Sequence, residues 1–297
     1  MDATKKIHIG LLTSRSADRP HFDGLTHGFG ARSIRLITCF VLTLILVVGC
    51  LVEPTVGLAQ APADGQGKVK IEWLGHEFYR LTSPKGVVVI TSPWLGNPDG
   101  PVPLESLART DFILVPNAHN DDMGNPIEIA ALSGATVITP GPLGNWLIEK
   151  GLKKEQFRRS GVGDRFDLKG ITFKIGPSAH DNTLPTGTDG GPAVSFFITF
   201  ENGFTVFYNG HSTLIGDLPL YAALYQPNLA ILGLTGDPRE FAQVARLMTT
   251  NNPKLKTVIP SHMRPAAPIV SEGKKELERL GIGELMFVPE LKKAYEY

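Results

Sequence analysis

Polar and apolar positions change their period repeatedly along the chain, and each change marks an element. Val69, Ile71 and Trp73 alternate with Lys70 and Glu72, which predicts a strand with one buried and one wet face. Short unbroken apolar runs follow at Gly86–Thr91, Phe112–Val115, Leu229–Leu232 and Thr257–Ile259, the pattern of strands buried on both faces of a sheet. Ala193–Phe200 and Phe204–Tyr208 flank Glu201-Asn202-Gly203, and an Asn-Gly pair between two β-rich runs predicts a hairpin. A helix is predicted from Asp237, with Pro238 at its first position and Glu240 three residues after the cap. It sets Phe241, Val244, Ala245 and Met248 on one face. Strands alternating with amphipathic helices over 69–297 predict a layered α/β domain.

One stretch has no period at all. Leu36–Leu51 reads LITCFVLTLILVVGCL without a charge, after Arg32 and Arg35 and ahead of the small residues Gly57-Leu58-Ala59. That layout is a secretory signal, and sixteen residues fall short of the roughly 20 that span a bilayer comfortably. Residues 1–59 are therefore read as an export segment cleaved after Ala59, and 60–68 as a linker. A second reading takes Val47-Val48-Gly49-Cys50 as a lipoprotein box that leaves a lipidated Cys50. The expected location is periplasmic or secreted, with the membrane touched only through this segment.

Composition then narrows the chemistry. With 29 Lys+Arg against 29 Asp+Glu, no net field recruits nucleic acid or anionic lipid. Both cysteines, Cys39 and Cys50, lie in the apolar run, so disulfides, thiolate metal sites and a cysteine nucleophile are closed to the globular part.

Histidine is what remains. After Ala59 the chain holds His76, His119, His180, His211 and His262, and each of the last four comes just past a predicted strand. In layered α/β folds, ligands gather outside the carboxyl ends of strands, so these four imidazoles can meet although they are far apart in sequence. Carboxylates stand beside the first, in Asn117-Ala118-His119-Asn120-Asp121-Asp122, which gives a candidate metal site. A lone histidine after a strand is ordinarily a loop residue bonded to backbone, and Asp121-Asp122 alone would read as a cap ahead of a helix at 126–131. Four in equivalent places outweigh that reading. His76, in the first turn, is open between hairpin packing and a place in the pocket wall.

At these residues the chain resembles the metallo-β-lactamase fold superfamily, most closely its ascorbate-phosphate lactonase-like and N-acylphosphatidylethanolamine phospholipase D-like hydrolases. The likeness runs from Val69 to Leu291. It rests on Trp73-Leu74-Gly75-His76 with Phe78, on Ser92-Pro93-Trp94, and on Asp111–Asp122 where the family carries H-x-H-x-D-H. Ser178-Ala179-His180, Tyr208-Asn209-Gly210-His211-Ser212-Thr213 and Ile259-Pro260-Ser261-His262 follow in the family's order. The resemblance implies an αββα sandwich, a divalent metal and a small-molecule substrate.

The motif is altered. Asn117 stands where the family has its first histidine, and Asp122 where it has the histidine after the aspartate. His211 replaces the bridging aspartate, and Ser92 an aspartate that usually precedes the proline. His119, Asp121, His180 and His262 match. By this pattern one site holds His119 and His180 with a weak Asn117, and the other Asp121, Asp122 and His262, with His211 between them. His76 and Asn117 are assigned to the surroundings of the metal. The donor set suits Zn²⁺, Mn²⁺ or Fe²⁺. One lactamase subclass with asparagine at the first position works with a single zinc, and loss of the bridging carboxylate here also favours one ion over two.

Two functions follow. One is a metal-dependent hydrolase of a lactone, ester, amide or phosphodiester bond, with Asp121 or Asp122 as the base and 183–192, rich in glycine, as a mobile substrate loop. The other is an exported binding protein that kept the sandwich and lost catalysis.

Overall fold

The computed structural model describes residues 67–264 and 267–297. Residues 1–59, expected from sequence to be an export segment, and nearly all of the expected linker lie outside the described residues. Among those described, no helix is long and apolar enough to cross a membrane.

The alternation at the start of the domain becomes β1 (Lys70–Gly75), with Ile71 and Trp73 buried and Lys70 exposed. It joins β2 (Phe78–Thr82), β3 (Val88–Thr91), β4 (Phe112–Leu114), β5 (Thr136–Pro140), β6 (Phe157–Ser160) and β13 (Ala294–Glu296) in one sheet of order β13-β1-β2-β3-β4-β5-β6. The second sheet contains β7 (Arg165–Leu168), β8 (Ile171–Pro177), β9 (Val194–Thr199), β10 (Thr205–Tyr208), β11 (Leu229–Gly233) and β12 (Thr257–Ser261), ordered β12-β11-β10-β9-β8-β7. The predicted hairpin is β9–β10. Thr205 faces Thr199, Gly203 takes φ +79°, and Asn202 Oδ1 accepts from the Phe204 N–H at 3.0 Å.

Six helices are described: α1 (Asn120–Met123), α2 (Pro126–Ser133), α3 (Gly141–Glu149), α4 (Leu218–Tyr225), α5 (Pro238–Met248) and α6 (Pro268–Arg279). Trp73, Tyr79, Leu114, Phe173, Phe196, Tyr208, Ile231 and Ile259 fill the layer between the sheets. Ile129, Ala130, Leu143 and Leu147 of α2 and α3 cover the outer face of the first sheet. Ala222, Phe241, Ala245 and Leu277 of α4, α5 and α6 cover the second. The architecture is the expected αββα sandwich. Helix α5 begins as predicted, with Asp237 capping the Arg239 N–H. Glu240, however, accepts from the Leu214 N–H at 3.0 Å, tying a loop to the helix rather than closing a capping box on residue 237.

Strand direction explains where the histidines go. β1 and β3 are both antiparallel to β2, and β4 runs parallel to β3; β8 and β10 are both antiparallel to β9, and β11 and β12 run parallel to β10. Every strand that precedes a histidine therefore runs the same way within its sheet, and its carboxyl end opens on one edge of the sandwich. The sheets are laced together there. The His262 N–H donates to the His76 carbonyl at 3.3 Å and the Val194 N–H to the Pro116 carbonyl at 3.1 Å.

Candidate metal centre

Five turns build the site. Gly75 pairs with Phe78, so His76 and Glu77 form the whole turn between β1 and β2. The 115–119 segment after β4 leads into α1, which carries Asp121 and Asp122 in its first turn. His180, His211 and His262 leave β8, β10 and β12. Gly210 makes the approach of His211 possible. At φ +59°, a β-carbon there would lie 2.5 Å from Pro116 Cβ and 2.7 Å from the Val194 carbonyl.

The histidines form a continuous row. Ring centroids are separated by 4.7 Å for His119–His180, 4.4 Å for His180–His211, 3.7 Å for His211–His262 and 4.0 Å for His262–His76. Both carboxylates lie against the row. Asp121 Oδ2 is 3.1 Å from His262 Nε2 and 3.7 Å from His76 Nε2. Asp122 Oδ2 is 3.6 Å from His211 Nδ1 and 3.7 Å from His180 Nε2. Among the described residues, ligand atoms close enough to share one ion form three groups: His76, Asp121 and His262; His119, Asp122 and His180; and Asp122, His211 and His262.

This grouping redraws the division expected from sequence. Asp122 stands with His119 and His180 as well as with His262. His76 is a member of a donor group rather than part of its surroundings. Asn117 is spent inside the protein, donating from Nδ2 to Asp122 Oδ2 at 3.0 Å and accepting the His119 N–H at Oδ1 at 3.0 Å. The glycine-rich segment is a closed loop rather than a free one. Asn182 Nδ2 donates to the Gly190 and Gly191 carbonyls, and its Oδ1 accepts from the Ala118 N–H, so the loop is pinned to the metal-motif segment.

Sequence reasoning passed over Glu77, Asp181 and Thr235. Asp181, adjacent to His180, accepts from His119 Nε2 at 3.3 Å, and its place in Ala-His-Asp-Asn was a readable signal. Thr235 Oγ1 meets His211 Nε2 at 2.8 Å. Glu77 is fully buried beneath the row, its Oε2 accepting from Tyr208 Oη at 2.5 Å and its Oε1 from Ser261 at 3.0 Å. Ser92 completes this network through Tyr208 at 2.6 Å.

The electrostatics divide the site. Burial, reinforced by positive neighbours, holds His76 and His180 down at about 4. His262 is also penalised by burial, yet its bond to Asp121 and the charges of Glu77 and Asp122 win and carry it up to about 9. The same bond holds Asp121 well below the ordinary carboxylate range. Burial and the Asp122 charge raise Glu77 to about 7.

Three polar atoms decide whether a cation fits. Asp122 Oδ1, His211 Nδ1 and His76 Nδ1 are buried and have no hydrogen-bond partner among the described residues. A carboxylate sealed from water with one neutral amide as its sole close donor is costly unless a positive charge completes it. Two carboxylates and five imidazoles within one row suit a divalent ion with nitrogen and oxygen preference.

Comparison with known proteins agrees with this reading. A profile described as the Beta-lactamase superfamily domain matches residues 70–262. A UPF0173 metal-dependent hydrolase of Cupriavidus taiwanensis is 31% identical, covering 77% of this chain and 87% of its own. Another from Koribacter versatilis is 30% identical, over 73% of this chain and 92% of its own. The fold matches that of Igni18, a metallo hydrolase from Ignicoccus hospitalis, with a TM-score of 0.66 and 22% identity over 77% of this chain and 98% of that one.

Proposed function

Because the chain belongs to the UPF0173 family of metal-dependent hydrolases within the β-lactamase superfamily, we propose that it hydrolyses a lactone, ester, amide or phosphodiester bond in a small molecule, using Zn²⁺, Mn²⁺ or Fe²⁺. The observation that carries the reading is the row of five imidazoles and two carboxylates with buried, unpartnered donor atoms facing inward.

Its residues divide by access. The metal's ligands come from His119, His180, His211, His262 and Asp122, with His76 offering a further nitrogen at the end of the row. A divalent ion bound there supplies Lewis acidity, which lowers the pKa of water from about 15.7 toward 7 and polarises the scissile group. Asp122 has no solvent exposure and serves as a ligand, not as a proton carrier. Asp121 keeps 30% of its side chain exposed, so it is the carboxylate at the mouth that orients the attacking water. The Asp181 carboxylate fixes the orientation of the His119 ring. We also read residues 1–59 as an export segment, so N-terminal sequencing of the native protein should begin near residue 50 or 60.

The test is metal analysis of protein purified without chelator, followed by turnover of lactone, aryl-ester and phosphodiester probes. His119→Ala, His180→Ala and His262→Ala should each lose metal and at least about a hundredfold in rate. A wild type that holds metal but is inert on every probe class would establish the binding-protein reading instead.

A further inference from the structure

Asp122 and His211 face each other at the centre of the row, and only one of them can be shared between two ions. His211 has one nitrogen committed, since Nε2 meets Thr235 Oγ1 at 2.8 Å, and only Nδ1 is turned toward Asp122. A single imidazole nitrogen serves one ion. A carboxylate has two oxygens and about four lone-pair sites. In Asp122 just one of these is used at hydrogen-bond distance, by Asn117 Nδ2 on Oδ2, while Oδ1 is buried and unpartnered among the described residues. Asp122 is also a member of both the His119–His180 group and the His211–His262 group.

Resting on the metal-dependent reading above, we propose that Asp122 is a shared carboxylate joining two metal positions. One lies against His119 and His180, the other against His211 and His262, with His211 ligating the second through Nδ1. The carboxylate and the imidazole have thus traded places between α1 and the turn after β10, relative to the motif this sequence resembles. The expectation of a single ion rested on finding histidine at 211; the negative charge needed between two cations is present, delivered from the opposite side. Asn117 takes a new role in this arrangement. It is a positioning residue whose amide clamps Asp122 Oδ2 and holds the His119 backbone at the same time.

The test uses the full chain, stripped of metal and titrated with Mn²⁺ or Zn²⁺, with stoichiometry read by elemental analysis and coupling by electron paramagnetic resonance of the Mn²⁺ form. The wild type should take up about two ions and show a spin-coupled Mn²⁺ signal. Asp122→Asn should lose the coupled signal and hold at most one ion, and Asn117→Ala should weaken binding about tenfold or more with the fold intact by circular dichroism. Asp122→His and His211→Asp should each bind poorly, while the double variant recovers two ions, a non-additivity expected only of residues that exchange one role. If Asp122→Asn does not fold, the wild-type coupled signal and the Asn117→Ala affinity decide the question. One uncoupled ion in the wild type, or two retained in Asp122→Asn, overturns the shared carboxylate and leaves the hydrolase reading standing. A wild type that binds no ion overturns both.

Discussion

Replacing Tyr208 by phenylalanine isolates the network beneath the metal row. The hydroxyl donates to Glu77 Oε2 at 2.5 Å and meets Ser92 Oγ at 2.6 Å, and both Glu77 and Ser92 are fully buried. Its removal leaves two buried polar atoms without partners, each costing about 1–3 kcal/mol, so the expected loss is about 2–6 kcal/mol. For a domain of this size, 1 kcal/mol moves Tm by about 2–4 °C, giving a fall of roughly 4–24 °C in thermal scans of chelator-treated protein. Tyr79→Phe is the comparison, since it removes one bond, to the Pro260 carbonyl at 3.0 Å, and should cost about 1 kcal/mol. The two should also differ in pH dependence. Glu77 is raised to about 7 when folded, so the folded state binds its proton more tightly than the unfolded chain, and stability falls as pH rises from the ordinary carboxylate value through 7. Tyr208 is the donor that eases the charged form, so the Tyr208→Phe penalty should grow between pH 6 and pH 8. A Tm within about 2 °C of wild type, or a penalty flat with pH, would refute the network as a stabilising unit.

His262, raised to about 9 in the metal-free protein, must release its proton on ligation, so metal affinity should rise from pH 7 to pH 9; calorimetry in buffers of different ionisation enthalpy would show no proton release if this is wrong. With chelator present, the same raised value gives stability that is complete below the ordinary histidine value and is lost as pH climbs through 9, readable as a falling urea midpoint. Gly210→Ala should cost more than about 2 kcal/mol, since it adds a β-carbon 2.5 Å from Pro116 at φ +59°; a urea-melt change under about 0.5 kcal/mol would count against the close approach. At position 211, φ +63°, metal-free His211→Gly should be about 0.5–1 kcal/mol more stable than His211→Ala, and equal melts would deny backbone strain there.

The sequence made the sandwich readable because its buried strands are continuous apolar runs and its hairpin carries Asn-Gly. Strands such as β6 (Phe157–Ser160) were not readable, because Arg158 and Arg159 at the sheet edge break the apolar pattern. The candidate donors were legible for a simple reason: few histidines remain after residue 59, and they follow strands. Their partition was not. Whether Asp122 points toward His180 or away depends on α1 being a four-residue helix that follows directly on His119, and on Asn117 reaching across five residues to hold the carboxylate. Glu77 escaped notice because a carboxylate in a strand turn reads as solvated, and only the fold reveals that the turn is tight enough to send His76 into the row and Glu77 beneath it.

Backbone conformation offers a separate argument that this edge is shaped by function. His76, Ser92, His211 and His262 all adopt left-handed φ, between +38° and +63°, although none is glycine. The other such residues in the described chain, Lys169, Gln226, Asn251 and Lys292, are scattered, and Gln226 ends a helix. A left-handed residue other than glycine costs roughly 1–2 kcal/mol. Four at one edge work against folding by several kcal/mol unless something selects them. Packing does not, because glycine would meet the turn at each position with less strain. What the left-handed turn achieves is direction: at the end of a strand it bends the chain sharply enough to bring an imidazole back over the sheet edge instead of letting it follow the strand into solvent. Ser92 is bent the same way and delivers its hydroxyl to Tyr208 beneath the row. The apolar layer between the sheets, in which each buried aromatic or branched side chain contributes about 1.5–3 kcal/mol, supplies the stability that holds these turns in place. Strain and buried unpartnered donors therefore coincide at the same residues, His76 and His211, as expected where the folded protein keeps a cost that binding a cation would relieve.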